Sequence, residues 1–217
     1  MTGYNVEVRQ YDHSDLPPVN GREVWRYSGC KDIPDEPELL ELMKDTLDKY
    51  TSAARPRVCY TVTDKVPFET DSKGLASVIQ GSEKVVTFAA TVGIDYDRLI
   101  RRFQRTEPTR ALFLQALGAE RAEALCDMFC SEFEGRTPRY SPGYGDLPLE
   151  TQKDVFAVLQ CEQKIGISLG ESLLMTPTKS VTALFGLNKG KANEDGHDCS
   201  LCGLLSCEYR REDNGST

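Results

Sequence analysis

The seven residues Arg139-Tyr-Ser-Pro-Gly-Tyr-Gly145 gather a cation, a Pro-Gly turn, an aromatic ring and a second glycine. A guanidinium presents a planar fork of donors that suits a carboxylate or a phosphate. Gly143 admits backbone angles closed to other residues, and Gly145 lets the main chain approach a ligand closely. An ordinary surface turn has the same composition, so any chemistry depends on what surrounds these residues.

A second concentration of reactive groups lies near the end of the sequence, where Cys199, Cys202 and Cys207 follow His197. Thiolates at this spacing can hold zinc as three cysteines and a histidine, or an iron-sulfur cluster completed by a ligand from elsewhere. Unligated thiols are the plainer alternative. The other five cysteines, Cys30, Cys59, Cys126, Cys130 and Cys161, are scattered. Cys126 and Cys130 sit one helical turn apart, but in an apolar stripe, where cysteine behaves as a small hydrophobe.

The bulk properties narrow the class. The 217 residues suffice for one sizeable core, or two subdomains sharing it. A net charge of −8 disfavours a nucleic-acid or membrane binder, since no broad basic patch offsets it. The first residues lack a signal pattern, and no run approaches the roughly 20 apolar residues of a membrane span. A soluble cytoplasmic protein with reduced thiols or metal ligands is the expectation.

The elements that must position the turn can be read from periodicity. Tyr4 to Tyr11 alternates as a strand and gives way to the turn-rich Leu16-Pro-Pro-Val-Asn-Gly21. Val24 and Trp25 are expected to pack in a core or an interface. Asp35-Glu-Pro-Glu38 opens an amphipathic helix with Leu39, Leu40, Leu42, Met43, Leu47 and Tyr50 at helical spacing, stopped by Arg55-Pro56. Val58 to Thr63 is a strand with Val58, Tyr60 and Val62 on one face. A short helix covers Leu75 to Ile79, and Val85 to Thr91 reads as a strand buried on both faces near the sheet centre.

Gly93 starts a helix with a basic, solvated face at Arg98, Arg101, Arg102 and Arg105. The longest helix runs from Pro108 to about Phe133. Beyond the central turn, Asp146, Pro148 and Glu150 mark a helix start, and Gly166 ends that helix. Ile167 to Met175 and Ser180 to Phe185 then read as two strands of a hairpin closing the sheet, and the composition turns polar after Leu187. Composition and periodicity support an α/β (α+β) fold.

Thr91-Val-Gly93, the two helices reaching Phe133, Arg139, Pro142, Gly143 and Tyr144, Gly170-Glu171-Ser172, Met175-Thr-Pro177 and Ser180-Val181 occur in an order that resembles the activation domain of cobalamin-dependent methionine synthase, in its free-standing bacterial form. The resemblance is clearest over residues 85–187. It implies a curved domain, residues 1–187, with a twisted, mainly antiparallel sheet flanked by helices, followed by a polar linker and cysteine-rich tail, 188–217. It also implies an S-adenosylmethionine-binding activation subunit of a methyltransferase, supporting reductive remethylation of cob(II)alamin on a separate synthase. The cofactor chemistry is then that of S-adenosylmethionine and cobalamin, while the protein positions them.

By the same resemblance Arg139 clamps the ligand's carboxylate, and the backbone at Ser141, Pro142 and Gly143 approaches the ligand. Tyr144 faces the corrin or the adenosine. Glu171, beside Ser172, partners the ammonium or the sulfonium region, or else steadies the hairpin. An electron donor such as flavodoxin is implied as a further partner. The tail spacing differs from that of radical S-adenosylmethionine enzymes and is similar to the first three cysteines of cluster-binding corrinoid activators, which keeps open a redox activator of another corrinoid protein. The family turn continues Tyr-Pro-Ala-Cys where this chain has Tyr144-Gly-Asp-Leu-Pro148, so contacts made by that part do not transfer.

Overall fold

From Val85 to Thr91 every residue is buried, as a β-branched and apolar run covered on both faces should be. The run forms β3 (Lys84–Thr91), between the antiparallel strands β2 (Arg57–Thr63) and β6 (Ser180–Leu187). Strand β1 (Glu7–Gln10) pairs with the other edge of β2, giving the order β1-β2-β3-β6. The computed structural model describes residues 3–30 and 35–188; His197, Cys199, Cys202 and Cys207 lie outside them.

Alternation along the strands sorts side chains onto two faces. Val58, Tyr60, Val86, Phe88, Ala90, Ala183 and Phe185 meet Leu125, Cys126, Phe129 and Cys130 of α5 (Pro108–Ser131). The ring of Phe129 anchors this layer, 5.1 Å from both Tyr60 and Phe88 between centroids. On the opposite face, Cys59, Val85, Ala89 and Leu184 pack against Leu75 of α3 (Lys73–Val78), Val155, Val158 and Leu159 of α6 (Gln152–Leu159), and Cys161 and Ile165 of α7 (Cys161–Ile165).

The first half of α5 runs past the sheet into a helical layer with α1 (Gly21–Tyr27), α2 (Pro37–Ala53) and α4 (Ile94–Thr106). Trp25 stands edge-on to Phe113 at 5.0 Å, and Tyr50 to Tyr96 at 5.1 Å, the T-shaped geometry that aromatic quadrupoles favour. The result is an antiparallel sheet flanked by helices, as the family resemblance implies. Arg98, Arg101, Arg102 and Arg105 form the exposed face of α4. No helix among the described residues is long and apolar enough to cross a membrane.

Three expectations need correcting. Ile167 to Met175 is not one strand: it folds back at Gly170, so β4 (Ser168–Leu169) pairs with β5 (Met175–Thr176) in a separate small sheet, and β6 pairs with β3 instead. A glycine in mid-run and a Leu173 at φ 62° break what periodicity reads as continuous. The helix after the turn is interrupted at Gln160, which takes a left-handed conformation with φ 53° between α6 and α7. Asp146 does not start that helix either. Its side chain serves a different one, described below.

Candidate functional site

The backbone around Arg139 extends the sheet beyond β6. Thr137 N donates to Gly186 O at 2.9 Å, Tyr140 N to Leu184 O at 2.8 Å, and Leu184 N returns to Tyr140 O at 2.9 Å. Gly186 N is taken by Thr137 Oγ1 at 2.9 Å. Residues 136–140 thus cover an otherwise open strand edge. Extended backbone sends neighbouring side chains to opposite faces: Arg139 reaches α5, whereas Tyr140 packs beside the α3, α6 and α7 layer.

Arg139 Nη2 lies 3.0 Å from Glu123 Oε2 and 2.8 Å from Asp127 Oδ1. These two acids stand four residues apart, on one face of α5. The Arg139 side chain is only 9% exposed, against 33% for Glu123 and 62% for Asp127. Burial opposes the charge on Arg139, but the carboxylates of Glu123 and Asp127 more than offset it, so the guanidinium is held above the ordinary arginine range. The nearby Cys126 thiol is itself pushed well up by burial, and that of Cys130 up to about 12. Both are neutral core residues, in keeping with their apolar stripe.

Two consecutive turns follow. Tyr144 N bonds to Ser141 O at 3.0 Å, with Pro142 and Gly143 as the central residues and Gly143 at φ 86°. Proline followed by a positive-φ glycine is the pattern of a type II turn. Leu147 N then bonds to Tyr144 O at 3.0 Å, and Gly143 N to Leu147 O at 2.9 Å. Buried Pro142 and Leu147 fasten the loop from beneath. Tyr144 is left 45% exposed at its crest, its ring 6.4 Å from that of Tyr140.

Asp146 closes the arrangement. Its carboxylate accepts from Ser72 Oγ at 2.5 Å, Lys73 N at 2.7 Å and Gly74 N at 3.2 Å, capping the start of α3. Tyr140 Oη donates to the same carboxylate at 3.4 Å. The bond from Ser72, with those from Gly74 and Lys73, draws the Asp146 carboxyl below the usual aspartate range.

Glu171 and Ser172 are exposed at the tip of the β4–β5 hairpin, whose turn is closed by Leu173 N to Gly170 O at 3.0 Å. Leu174 beside them is 72% exposed. The hairpin's base is fixed to α4, because buried Asp97 accepts from Thr178 N at 2.8 Å and Thr178 Oγ1 at 2.9 Å. The structure therefore joins Ser141, Pro142, Gly143 and Tyr144 in one turn, places Arg139 two residues before it with its side chain on α5, and sets Glu171 and Ser172 on a separate projection. Among the described residues no group of His, Cys, Asp and Glu is arranged to hold a metal ion.

Glu123, Asp127 and the capping role of Asp146 went unread in the sequence. The two acids are spaced four apart beside the Cys126 and Cys130 pair, a polar repeat that could have marked a charged edge facing a cation. Nothing local pairs Asp146 with Ser72, which precedes it by 74 residues.

Residues 127–193 match the model of a family described as vitamin B12 dependent methionine synthase, activation domain. A solved structure, the MetH reactivation domain bound to AdoHcy, aligns with a TM-score of 0.60 at 17% identity, over 88% of this chain and 80% of that one. This chain has the fold of a methionine synthase activation domain. The family match spans the Arg139–Tyr144 turn, the Glu171 hairpin and β6, so the activation-domain resemblance rests on the same residues that form the site. Asp127 falls within the activation-domain match and Glu123 just before it. No curated protein matches the chain.

Proposed function

We propose that the chain binds S-adenosylmethionine at the turn from Arg139 to Tyr144 and supports reductive remethylation of cob(II)alamin carried by a separate cobalamin-dependent methionine synthase. The observation that carries this reading is Arg139 set between Glu123 and Asp127 at the entrance to a type II turn. An amino-acid zwitterion fits such a set: its carboxylate matches the guanidinium fork, and its ammonium matches either acid. S-adenosylmethionine carries a sulfonium in addition to its ammonium, and a second carboxylate beside the guanidinium is complementary to that additional cation.

When bound, S-adenosylmethionine supplies the methyl group that, together with one electron, restores methylcobalamin on the partner. The work of this chain is positional. Arg139 exchanges part of its hold on Glu123 and Asp127 for the ligand's carboxylate, and the released acid takes the ammonium. The backbone from Ser141 to Gly143 lies against the ligand, and Tyr144 faces the partner's corrin or the adenosine. Glu171, on its exposed hairpin beside Ser172, is the candidate partner for the ammonium or the sulfonium region. Transfer of a methyl group from a sulfonium to reduced cobalt removes no proton, so no general base is required.

Residues 1–187 form the activation unit in this reading, and 188–217 a linker and cysteine-bearing tail. An electron donor such as flavodoxin completes the system. The thiol spacing of Cys199, Cys202 and Cys207 with His197 favours a second reading, a redox activator of another corrinoid protein, in which a tail-bound iron-sulfur cluster or zinc matters more than the methyl donor. The first reading predicts that the chain, with reductant and S-adenosylmethionine, restores activity to a synthase loaded with cob(II)alamin. Restoration with reductant alone, together with iron and labile sulfide in an anaerobic preparation, would favour the second.

A further inference from the structure

Asp146 gathers more hydrogen bonds than its exposed place in a loop would suggest. One carboxylate accepts from Ser72 Oγ, Lys73 N and Gly74 N, at 2.5, 2.7 and 3.2 Å, and from Tyr140 Oη at 3.4 Å. Three of these donors belong to the start of α3, which is packed on the sheet through fully buried Leu75. The fourth is the residue next to Arg139. Asp146 is thereby the tie between a fixed element and the two turns that carry Ser141, Pro142, Gly143 and Tyr144.

The glycines around it show how closely the parts fit. A Cβ at Gly74 would stand 2.2 Å from Tyr140 Oη and 2.9 Å from Asp146 Oδ1, and a Cβ at Gly145 would stand 2.2 Å from Tyr140 Oη. The phenol is therefore enclosed by two backbone segments that have no side chain, one from α3 and one from the turn. Tyr140 is also held through its backbone to Leu184 of β6.

We infer that Asp146 is a positioning residue for ligand binding: with Tyr140 and the Ser72–Gly74 backbone it holds the Ser141–Tyr144 turn in the conformation that receives S-adenosylmethionine. The inference rests on the proposed ligand reading above. Asp146 touches neither the ligand nor Arg139 in this scheme, and acts by removing alternative conformations of the turn before binding, so that less ordering remains to be done in the complex.

The test uses the full chain as wild type, Asp146→Ala and Asp146→Asn, titrated with S-adenosylmethionine by calorimetry and followed by amide hydrogen exchange over residues 72–74 and 141–147. Loss of the tie should weaken binding by about tenfold or more, the scale of a modest misplacement of binding groups, while stoichiometry stays at one. Asp146→Asn, which keeps one acceptor, should fall between. Exchange over 141–147 should rise in Asp146→Ala even without ligand. A merely structural role would instead lower the stoichiometry through unfolded protein and leave the Kd of the folded fraction unchanged, which overturns the inference. Unchanged exchange over 141–147 in Asp146→Ala overturns it as well. Absence of binding by wild type would count against the ligand reading, and the exchange result alone would then decide whether Asp146 orders the turn.

Discussion

The Arg139 guanidinium lies 3.0 Å from the carboxylate of Glu123, joining the turn that follows β-sheet edge residues 136–140 to the long helix α5. In the proposed reading this partner is the one that a zwitterionic ligand displaces. Asp127 faces the same guanidinium at 2.8 Å.

The Glu123 carboxylate predicts selectivity. Glu123→Gln should reduce the preference for S-adenosylmethionine over its uncharged-thioether product by about two- to fivefold, the effect of an ion pair worth roughly 0.5–1 kcal/mol at a partly exposed site. Competitive calorimetric titration of the two ligands checks it. An unchanged preference would mean that Glu123 does not sense the sulfonium.

The enclosure of the Tyr140 hydroxyl predicts a coupled pair. Gly145→Ala places a Cβ 2.2 Å from Tyr140 Oη at a residue with φ 52°, so it should destabilise the fold by about 1–3 kcal/mol through overpacking and left-handed strain. In Tyr140→Phe the nearest ring atom to that Cβ would be Tyr140 Cζ, at 3.4 Å. The double variant should therefore recover the overpacking part and keep the strain part. A double-mutant cycle by chemical denaturation measures the coupling, and additivity would show that the hydroxyl is not the obstacle.

The fold was legible wherever one face of an element is buried by its own periodicity. Val85–Thr91, the stripe of α5 and the Pro37 start of α2 could be read because burial, capping and spacing agree within a few residues. The β4–β5 hairpin could not, because Ile167 to Met175 has a strand-like composition and only Gly170 and the backbone of Leu173 show the fold-back. At the site, Arg139, Pro142, Gly143 and Tyr144 were legible as a turn motif. Glu123, Asp127 and the Ser72–Asp146 bond were not, since each pairing depends on elements brought together by the sheet rather than on spacing along the chain.

Thiol chemistry separates core from surface. Burial raises the thiols of Cys126 and Cys130, the latter to about 12, and the hydrogen bond with Cys59, together with burial, raises Cys161. Because the thiolate is the nucleophile, these residues should resist alkylation at pH 8, whereas half-buried Cys30 should react. Peptide mapping after brief iodoacetamide treatment reads this out. Labelling of Cys126 as fast as Cys30 in folded protein would contradict the packed position of α5 against the sheet.

Asp146 predicts a pH dependence with a definite sign. Its folded carboxyl is drawn below the usual range, first by Ser72, so its tie is fully formed above the ordinary aspartate pKa of about 3.9 and is lost as pH falls through the lowered value. The amide resonances of Lys73 and Gly74 should therefore shift together only below pH about 4. A midpoint above that range would contradict the carboxylate cap.

The central claim is ligand binding at Arg139, and calorimetric titration of the full chain with S-adenosylmethionine, beside Arg139→Ala and Arg139→Lys, tests it most directly. The account predicts one site in wild type, affinity reduced at least about tenfold in Arg139→Ala through loss of a charge-assisted bidentate contact, and little rescue by Arg139→Lys, because an ammonium lacks the planar fork. No heat with wild type at millimolar ligand, or wild-type affinity in Arg139→Ala, would contradict it.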